Sequence, residues 1–251
     1  MFKTLFERTR NIALYGHYIP VDYFVFDDRR LVYVSIPKVA CTSIKIALMG
    51  DAAHTGNEYS KYMNIHHDVN HRQERRLPKR AKDYFKFAFV RNPFDRLVSF
   101  YEDKVRRPRQ HNGQYYFDSD YNRTLIKMIF GTCFSPEMKF ADFAQLIARV
   151  PDWLADAHFK SQYAMLFRHG RQIPDFIGHF ETIEEDWKLF NQNYGLRPLA
   201  TKNANAPRDW KTYYSDEAVV ELVARRYHRD LVHFGYDQQY AELCDKVLKN
   251  P

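Results

Sequence analysis

Two stretches of this chain repeat one pattern: an apolar run, a tight turn, then an amphipathic helix. Leu31-Val32-Tyr33-Val34-Ser35-Ile36 is nearly continuous in apolar residues. Such a run suits a strand covered on both faces, as in a parallel sheet, rather than one with a face in water. Pro37 ends it, and Ala40, Ile44, Ala47 and Leu48 then fall on one side of a helix, with Gly50 as its stop. The second copy begins with Phe85-Lys86-Phe87-Ala88-Phe89-Val90. After Arg91, Asn92 is placed to cap a helix and Pro93 suits its first turn. Phe94, Leu97, Val98, Tyr101 and Val105 share that helix's apolar side. Strand, turn and helix twice over predict an α/β fold with a central parallel sheet flanked by helices.

The rest of the chain is compatible with one domain. It has 251 residues, 45% hydrophobic and 16% aromatic, enough to bury a sizeable core. Residues 51–82 are polar, His-rich and basic, and read as an irregular connection with room for one short helix. Residues 106–121 and 199–210 read as loops. Helical patterns cover 125–129, 140–150, 184–194 and 216–233, and residues 176–180 read as a short strand. Cys41, Cys133 and Cys244 form no CxxC pair, which argues against a zinc site. Their odd number and low density suit a reducing compartment. The N-terminus lacks the apolar core of a signal peptide. No stretch reaches the roughly 18 to 20 apolar residues of a membrane helix. The expectation is a soluble cytoplasmic protein without a transmembrane segment, although a catalytic domain cut from a longer membrane-anchored protein reads the same.

The turn after the first strand carries chemistry. In Pro37-Lys38-Val39-Ala40-Cys41-Thr42-Ser43 the first N–H groups of a helix lack partners within it, and with the helix dipole they form an anion site. Lys38 adds a mobile positive charge, and Thr42 and Ser43 add hydroxyls. The layout is that of a phosphate loop, but GxxxxGK(S/T) is absent, and the lysine precedes the hydroxyl pair instead of standing beside it. That counts against a nucleoside triphosphatase. An ordinary strand–helix turn with a surface lysine is the alternative. Cys41 near a helix N-terminus invites a catalytic reading, but no paired base is apparent.

The turn after the second strand places Arg91 at a strand's carboxyl end, where open α/β sheets bind ligands. Ser99 lies about two turns into the next helix. An arginine fork and a hydroxyl can grip one phosphate together. A sheet-edge arginine and a tolerated helical serine are the bland alternative.

Together the two turns resemble the paired signatures of the Golgi-type carbohydrate sulfotransferases. That family contains the chondroitin 4-O-, HNK-1 and dermatan sulfotransferases, with heparan-sulfate 2-O-sulfotransferase as a more distant relative. Its Pro-Lys-x-(Ala/Gly)-(Cys/Gly/Ser)-(Thr/Ser)-(Thr/Ser/Asn) element stands here at 37–43. Its Arg-x-Pro-(Phe/Ile)-x-Arg-Leu-x-Ser element stands at 91–99. Weaker likeness runs through Phe176-Ile177-Gly178-His179-Phe180-Glu181, Asn203-Ala204-Asn205 with Tyr213-Tyr214, and 230–236. The resemblance implies a P-loop-like three-layer fold and a single sulfotransferase domain over 1–251, in which 1–30 is an N-terminal extension of unassigned role.

It also implies a reaction: metal-free, in-line transfer of a sulfuryl group from 3′-phosphoadenosine 5′-phosphosulfate (PAPS) to a hydroxyl, leaving 3′-phosphoadenosine 5′-phosphate (PAP). Lys38 would stabilise the leaving group. Lys38, Val39, Ala40, Cys41, Thr42 and Ser43 would cradle the 5′ end. Arg91 and Ser99 would hold the 3′-phosphate, and Asn203 of the late loop would join the nucleotide site. A histidine suits the base at neutral pH, and His67, then His66, are the candidates, with Asp68 to orient one of them. His67 and His71 could instead be a metal pair, and all of these could be solvated loop histidines. His158, in a His-x-x-x-Gln stretch, is a further candidate for packing or acceptor binding.

Lys+Arg 38 against Asp+Glu 31 leaves the chain at +7, which favours anionic partners. An acidic carbohydrate acceptor fits, gripped by 72–82 or 106–109, although charge runs are usually solvated faces. Net charge alone supports a basic anion-binding module, and no recognition motif points to nucleic acid. A phosphate-loop kinase or nucleotidase is the other alternative; it would need magnesium.

Overall fold

The computed structural model describes residues 21–49, 71–107, 110–111, 114–115, 134–199 and 209–249. In chain order its main elements are β1 (Asp22–Phe26), β2 (Leu31–Ser35), α1 (Cys41–Met49), β3 (Gln73–Glu74), β4 (Phe85–Val90), α2 (Pro93–Phe100), α3 (Phe140–Ala148), α4 (Gln162–Leu166), β5 (Phe176–His179), α5 (Ile183–Asn191), α6 (Glu217–Arg226), α7 (His228–Phe234) and α8 (Asp237–Lys249). They fall into two compact units. Among the described residues, a sheet unit lies within 21–91 and 164–199, and a helical unit within 92–163 and 209–249.

The sheet unit holds five strands in the order β3-β1-β2-β4-β5. The two expected strands, β2 and β4, pair in parallel, and β5 extends the parallel set from β4. The sheet as a whole is mixed, which corrects the expectation of a parallel one. β1 lies antiparallel to β2, with Asp22 opposite Ser35 and Phe26 opposite Leu31. β3 pairs antiparallel on β1's other edge. The reason is the connection: only a 3₁₀ turn, Asp27–Arg29, and Arg30 at φ 51° separate β1 from β2. A link that short permits only an antiparallel return, whereas parallel neighbours need a long crossover.

Every residue of β2 is buried, as its nearly continuous apolar run predicts. On one face of the sheet Phe24, Tyr33 and Phe87 stack in sequence, at 6.2 Å and 5.1 Å between ring centroids. Phe190 of α5 lies 4.2 Å from Phe87, and Trp187 of α5 joins Phe89 at 6.1 Å. On the other face Val25 and Val32 pack with Ala81, Leu77, Tyr23 and Tyr84. Offset and edge-on aromatic pairs add about 0.5–1.5 kcal/mol each beyond the area they bury.

Gly178 of β5 sits directly opposite Phe89 of β4. A Cβ there would run into Phe89 Cε1, and would stand 2.8 Å from Cδ1. The Phe89 ring is only 1% exposed and has nowhere to go. Gly178→Ala is therefore expected to lower stability by about 1–3 kcal/mol through overpacking, read as a lower urea midpoint with an unchanged slope.

In the helical unit, α2 begins as the sequence indicates. Pro93 opens the first turn, and the Asn92 side chain accepts hydrogen bonds from Phe94 N at 2.9 Å and Asp95 N at 3.5 Å. The helix does not stop at Phe100 but widens into a π-helical turn, Tyr101–Arg106. Beyond it, where a loop is expected, Gln110–His111 pairs with Gln114–Tyr115. α3 and α8 both pack on α6.

The single helix expected over 216–233 is two helices. They part at Tyr227 (φ −110°, ψ 21°), whose buried hydroxyl donates to Phe159 O at 2.7 Å. Gly235 at φ 72° ends α7, the left-handed stop that glycine favours. Gly50, Arg109 and the helix expected at 125–129 lie outside the described residues.

Candidate functional site

β2 delivers the chain into the turn Pro37–Ala40, and α1 begins at Cys41. The first helical bond runs from Ile44 N to Ala40 O at 3.0 Å. The N–H groups of Cys41, Thr42 and Ser43 therefore stand ahead of the helical ladder, at its positive end. Two residues of the turn are left-handed without being glycine: Lys38 at φ 70° and Ala40 at φ 47°. Each costs about 1–2 kcal/mol relative to the right-handed form. Left-handed residues in such turns aim successive N–H groups into one concavity, an anion-binding nest. Strain of this sort persists where the surroundings over-determine it, and it clusters at ligand sites.

Val39 is buried under the turn, Lys38, Ala40, Cys41 and Thr42 are half-buried, and Ser43 is buried. One turn further, Lys45 is buried with its ammonium 4.2 Å from the centroid of Phe24. Burial pulls that ammonium below the usual lysine value, opposed by Cys41 and Asp22.

Arg91 stands at the end of β4, beside β2. Its Nη1 donates to the carbonyl oxygen of Lys38 at 3.1 Å. Its Cζ lies 4.1 Å from the centroid of Phe180, and Phe180 N donates to Val90 O at 2.7 Å. The carboxyl ends of three parallel strands thus converge on one cationic turn, the position where open α/β sheets receive ligands. The structure brings Arg91 against the backbone of the turn that carries Lys38. Phe180 was missed, although an aromatic closing the third parallel strand was a signal in plain view.

Ser99 is half-buried on α2 in the helical unit. His66, His67, Asp68 and Asn203 lie outside the described residues. His71 is exposed. Among the described residues no group of three or more His, Cys, Asp or Glu side chains could hold a metal ion.

His158 is more than a loop histidine. Its Nδ1 lies 2.6 Å from Asp156 Oδ1, and its ring stacks on Phe100 at 5.9 Å. Burial works to raise the Asp156 carboxyl, but His158 beside it prevails and holds it below the usual range. A carboxylate on one ring nitrogen fixes the tautomer and leaves proton exchange to the other.

The basic stretch at 72–82 is in part an ion-pair face. Arg72 meets Asp28 at 3.3 Å, and Arg80 meets Asp27 at 3.2 Å and Glu74 at 3.3 Å. In the second cluster, Arg106 binds Glu102 at 2.8 Å.

Carbohydrate sulfotransferase 9 of Homo sapiens is 27% identical over 226 residues, covering 83% of this chain and 48% of its own length. Carbohydrate sulfotransferase 11 of Rattus norvegicus is 30% identical over 193 residues, covering 69% and 51%. Carbohydrate sulfotransferase 12 of Mus musculus is 30% identical over 265 residues, covering 86% and 60%. The chain thus spans about half to three-fifths of these relatives' lengths. No solved structure matches. The profile of the sulfotransferase family runs over residues 21–237, through β1, the cationic turn, Arg91 and on past α7. The chain belongs to the sulfotransferase family.

Proposed function

We propose that this protein transfers a sulfuryl group from PAPS to a hydroxyl of a carbohydrate, the acceptor class named for its relatives. The observation that carries the reading is the turn at 37–40: two strained left-handed residues, a helix N-terminus and Lys38, braced by Arg91. The residues present suit this donor. The nest and the N–H groups of Cys41, Thr42 and Ser43 suit its 5′-phosphate. Arg91 and Ser99 are assigned to the 3′-phosphate, and Asn203 to the nucleotide site. The fold is read as P-loop-like and three-layered, and 1–251 as one sulfotransferase domain, since the family profile runs through both units.

The donor supplies the sulfuryl group: its sulfur–oxygen bond to the 5′-phosphate breaks in line as the bond to the acceptor oxygen forms. Lys38 stabilises the charge that gathers on the phosphate side. The acceptor's proton goes to a histidine, for which His67, then His66, are assigned. A second assignment, His158, is favoured by one observation, its 2.6 Å contact with Asp156. No metal is assigned a role. The net charge of +7 favours an acidic acceptor.

The test is calorimetric binding of adenosine 3′,5′-bisphosphate without metal, beside adenosine 5′-phosphate and ATP with magnesium. Micromolar binding that requires the 3′-phosphate is expected. Arg91→Ala should weaken it by about 2 to 4 kcal/mol, the worth of a desolvated charge-assisted contact. ATP binding that requires magnesium would instead make the chain a kinase or nucleotidase. Salt-steep binding of polyanions without nucleotide affinity would make it a basic anion-binding module.

A further inference from the structure

Two contacts of Arg91 bear on the turn. Its Nη1 holds the Lys38 carbonyl at 3.1 Å, and its plate lies against the Phe180 ring, 4.1 Å from Cζ to centroid. A guanidinium carries its N–H donors in its own plane. A ring against its face therefore fixes the tilt of the plate without occupying a donor. The carbonyl that Arg91 holds belongs to a residue at φ 70°, and Ala40 at φ 47° follows two positions later. Neither conformation is favoured by a side chain with a Cβ, so both depend on neighbours that hold them. Phe180 is itself pinned, through its N–H to Val90 O at 2.7 Å, beside the strand end that carries Arg91.

We infer that Phe180 is a positioning residue: by setting the plane of Arg91 it keeps the turn at 38–40 in its anion-binding shape, so that the 3′-phosphate on Arg91 and the grip of the turn on the donor's 5′ end are coupled. The inference rests on the PAPS reading above and deepens it. Discrimination for a 3′-phosphorylated donor is then expressed at the reacting end of the nucleotide, and not only as added affinity.

The experiment compares adenosine 3′,5′-bisphosphate with adenosine 3′-phosphate by calorimetry, in the wild type, Phe180→Leu and Phe180→Tyr. The ratio of the two affinities measures what the 5′-phosphate contributes, and the phenylalanine ring offers that phosphate no donor. Phe180 is half-buried, so leucine keeps apolar volume without a ring face, and thermal melts check that each variant is folded. In Phe180→Leu the ratio should fall by about tenfold, because the turn loses its brace, and Phe180→Tyr should restore it to within about twofold of the wild type. Equal loss of both affinities, or no loss, overturns the coupling, as does a tyrosine variant no better than leucine. A wild type that does not prefer the bisphosphate to adenosine 5′-phosphate refutes the donor assignment and this inference with it. A wild type with that preference, beside an unmoved ratio in Phe180→Leu, refutes the coupling alone.

Discussion

Lys38→Ala is expected to lower turnover by about 10²- to 10³-fold, with kcat falling far more than KM rises, in a protein that stays folded. The size follows from where the charge acts. An ammonium beside a phosphate already charged in the ground state contributes to binding, but its larger contribution comes as the sulfur–oxygen bond breaks and more charge gathers there. Folding should not follow activity down, because Lys38 is half-buried on a turn and outside the apolar core. Lys38→Gly sharpens the test. The residue sits at φ 70°, where glycine is at ease, so this variant should equal or slightly exceed the wild type in melting temperature. It should nevertheless be as slow as the alanine variant. Single-turnover transfer of labelled sulfate to a carbohydrate acceptor, beside thermal melts, reads both effects. Near-normal transfer in either variant would remove Lys38 from the chemistry. Transfer lost only in step with stability would make it a structural residue.

The parts of the molecule legible in the sequence are those in which one signal suffices. A nearly continuous apolar run with a proline behind it suits a covered strand, and β2 is buried along its whole length. Asn92 and Pro93 suit a helix start, and one begins there. What stayed hidden depends on partners or on backbone angles. β1 is five residues with mixed burial, and the left-handed position of its hairpin is filled by Arg30, so no glycine or asparagine marks the turn. Lys38 and Ala40 are likewise left-handed with no glycine to mark them, and the side chain that meets the Lys38 carbonyl, Arg91, stands fifty-three positions away. The break between α6 and α7 has neither proline nor glycine; it follows from the anchorage of Tyr227 to Phe159. α8 was legible and passed over: Leu243 and Val247, four apart, are its buried face. Of the candidate site, the cationic turn and Arg91 could be read from residue types, whereas the stack on Phe180 and the contact of Asp156 with His158 are facts of tertiary structure.

Arg96→Ala is the change expected to cost most stability. Arg96 lies within the same sequence element as Arg91 and Ser99, yet its side chain is 2% exposed. Nη1 donates to Lys160 O at 2.8 Å and Nη2 to Ala157 O at 2.7 Å. The second arginine of the element is therefore a clamp on the segment that carries His158. That segment is densely polar inside the protein. Lys160, Gln162 and Asp230 are fully buried, and the Asp230 carboxylate accepts from Gln162 N at 2.9 Å and Tyr163 N at 2.7 Å. Burial pushes Asp230 up to about 6, against the pull of those two N–H groups and of Arg96. Burial likewise drops Lys160 to about 8. Removing Arg96 strips the donors from two carbonyls and a positive charge from the surroundings of Asp230, a loss of about 3–5 kcal/mol. That is roughly a 10 °C fall in melting temperature for a chain of this size. Arg96→Lys keeps the charge but cannot span both carbonyls with a planar fork, so it should fall between the two. The pH dependence has a definite sign. With its pKa raised in the folded state, Asp230 favours folding while protonated, and that contribution is lost as pH rises through about 6. Without Arg96 the ionised carboxylate is worse off still. The gap between wild type and Arg96→Ala should therefore widen as pH rises through and above that value, and narrow toward the usual carboxylate range. Urea melts at a series of pH values measure it. A gap that does not change with pH would mean that Arg96 acts through its two carbonyl contacts alone. A small gap throughout would mean that the 157–160 segment holds its place without the clamp.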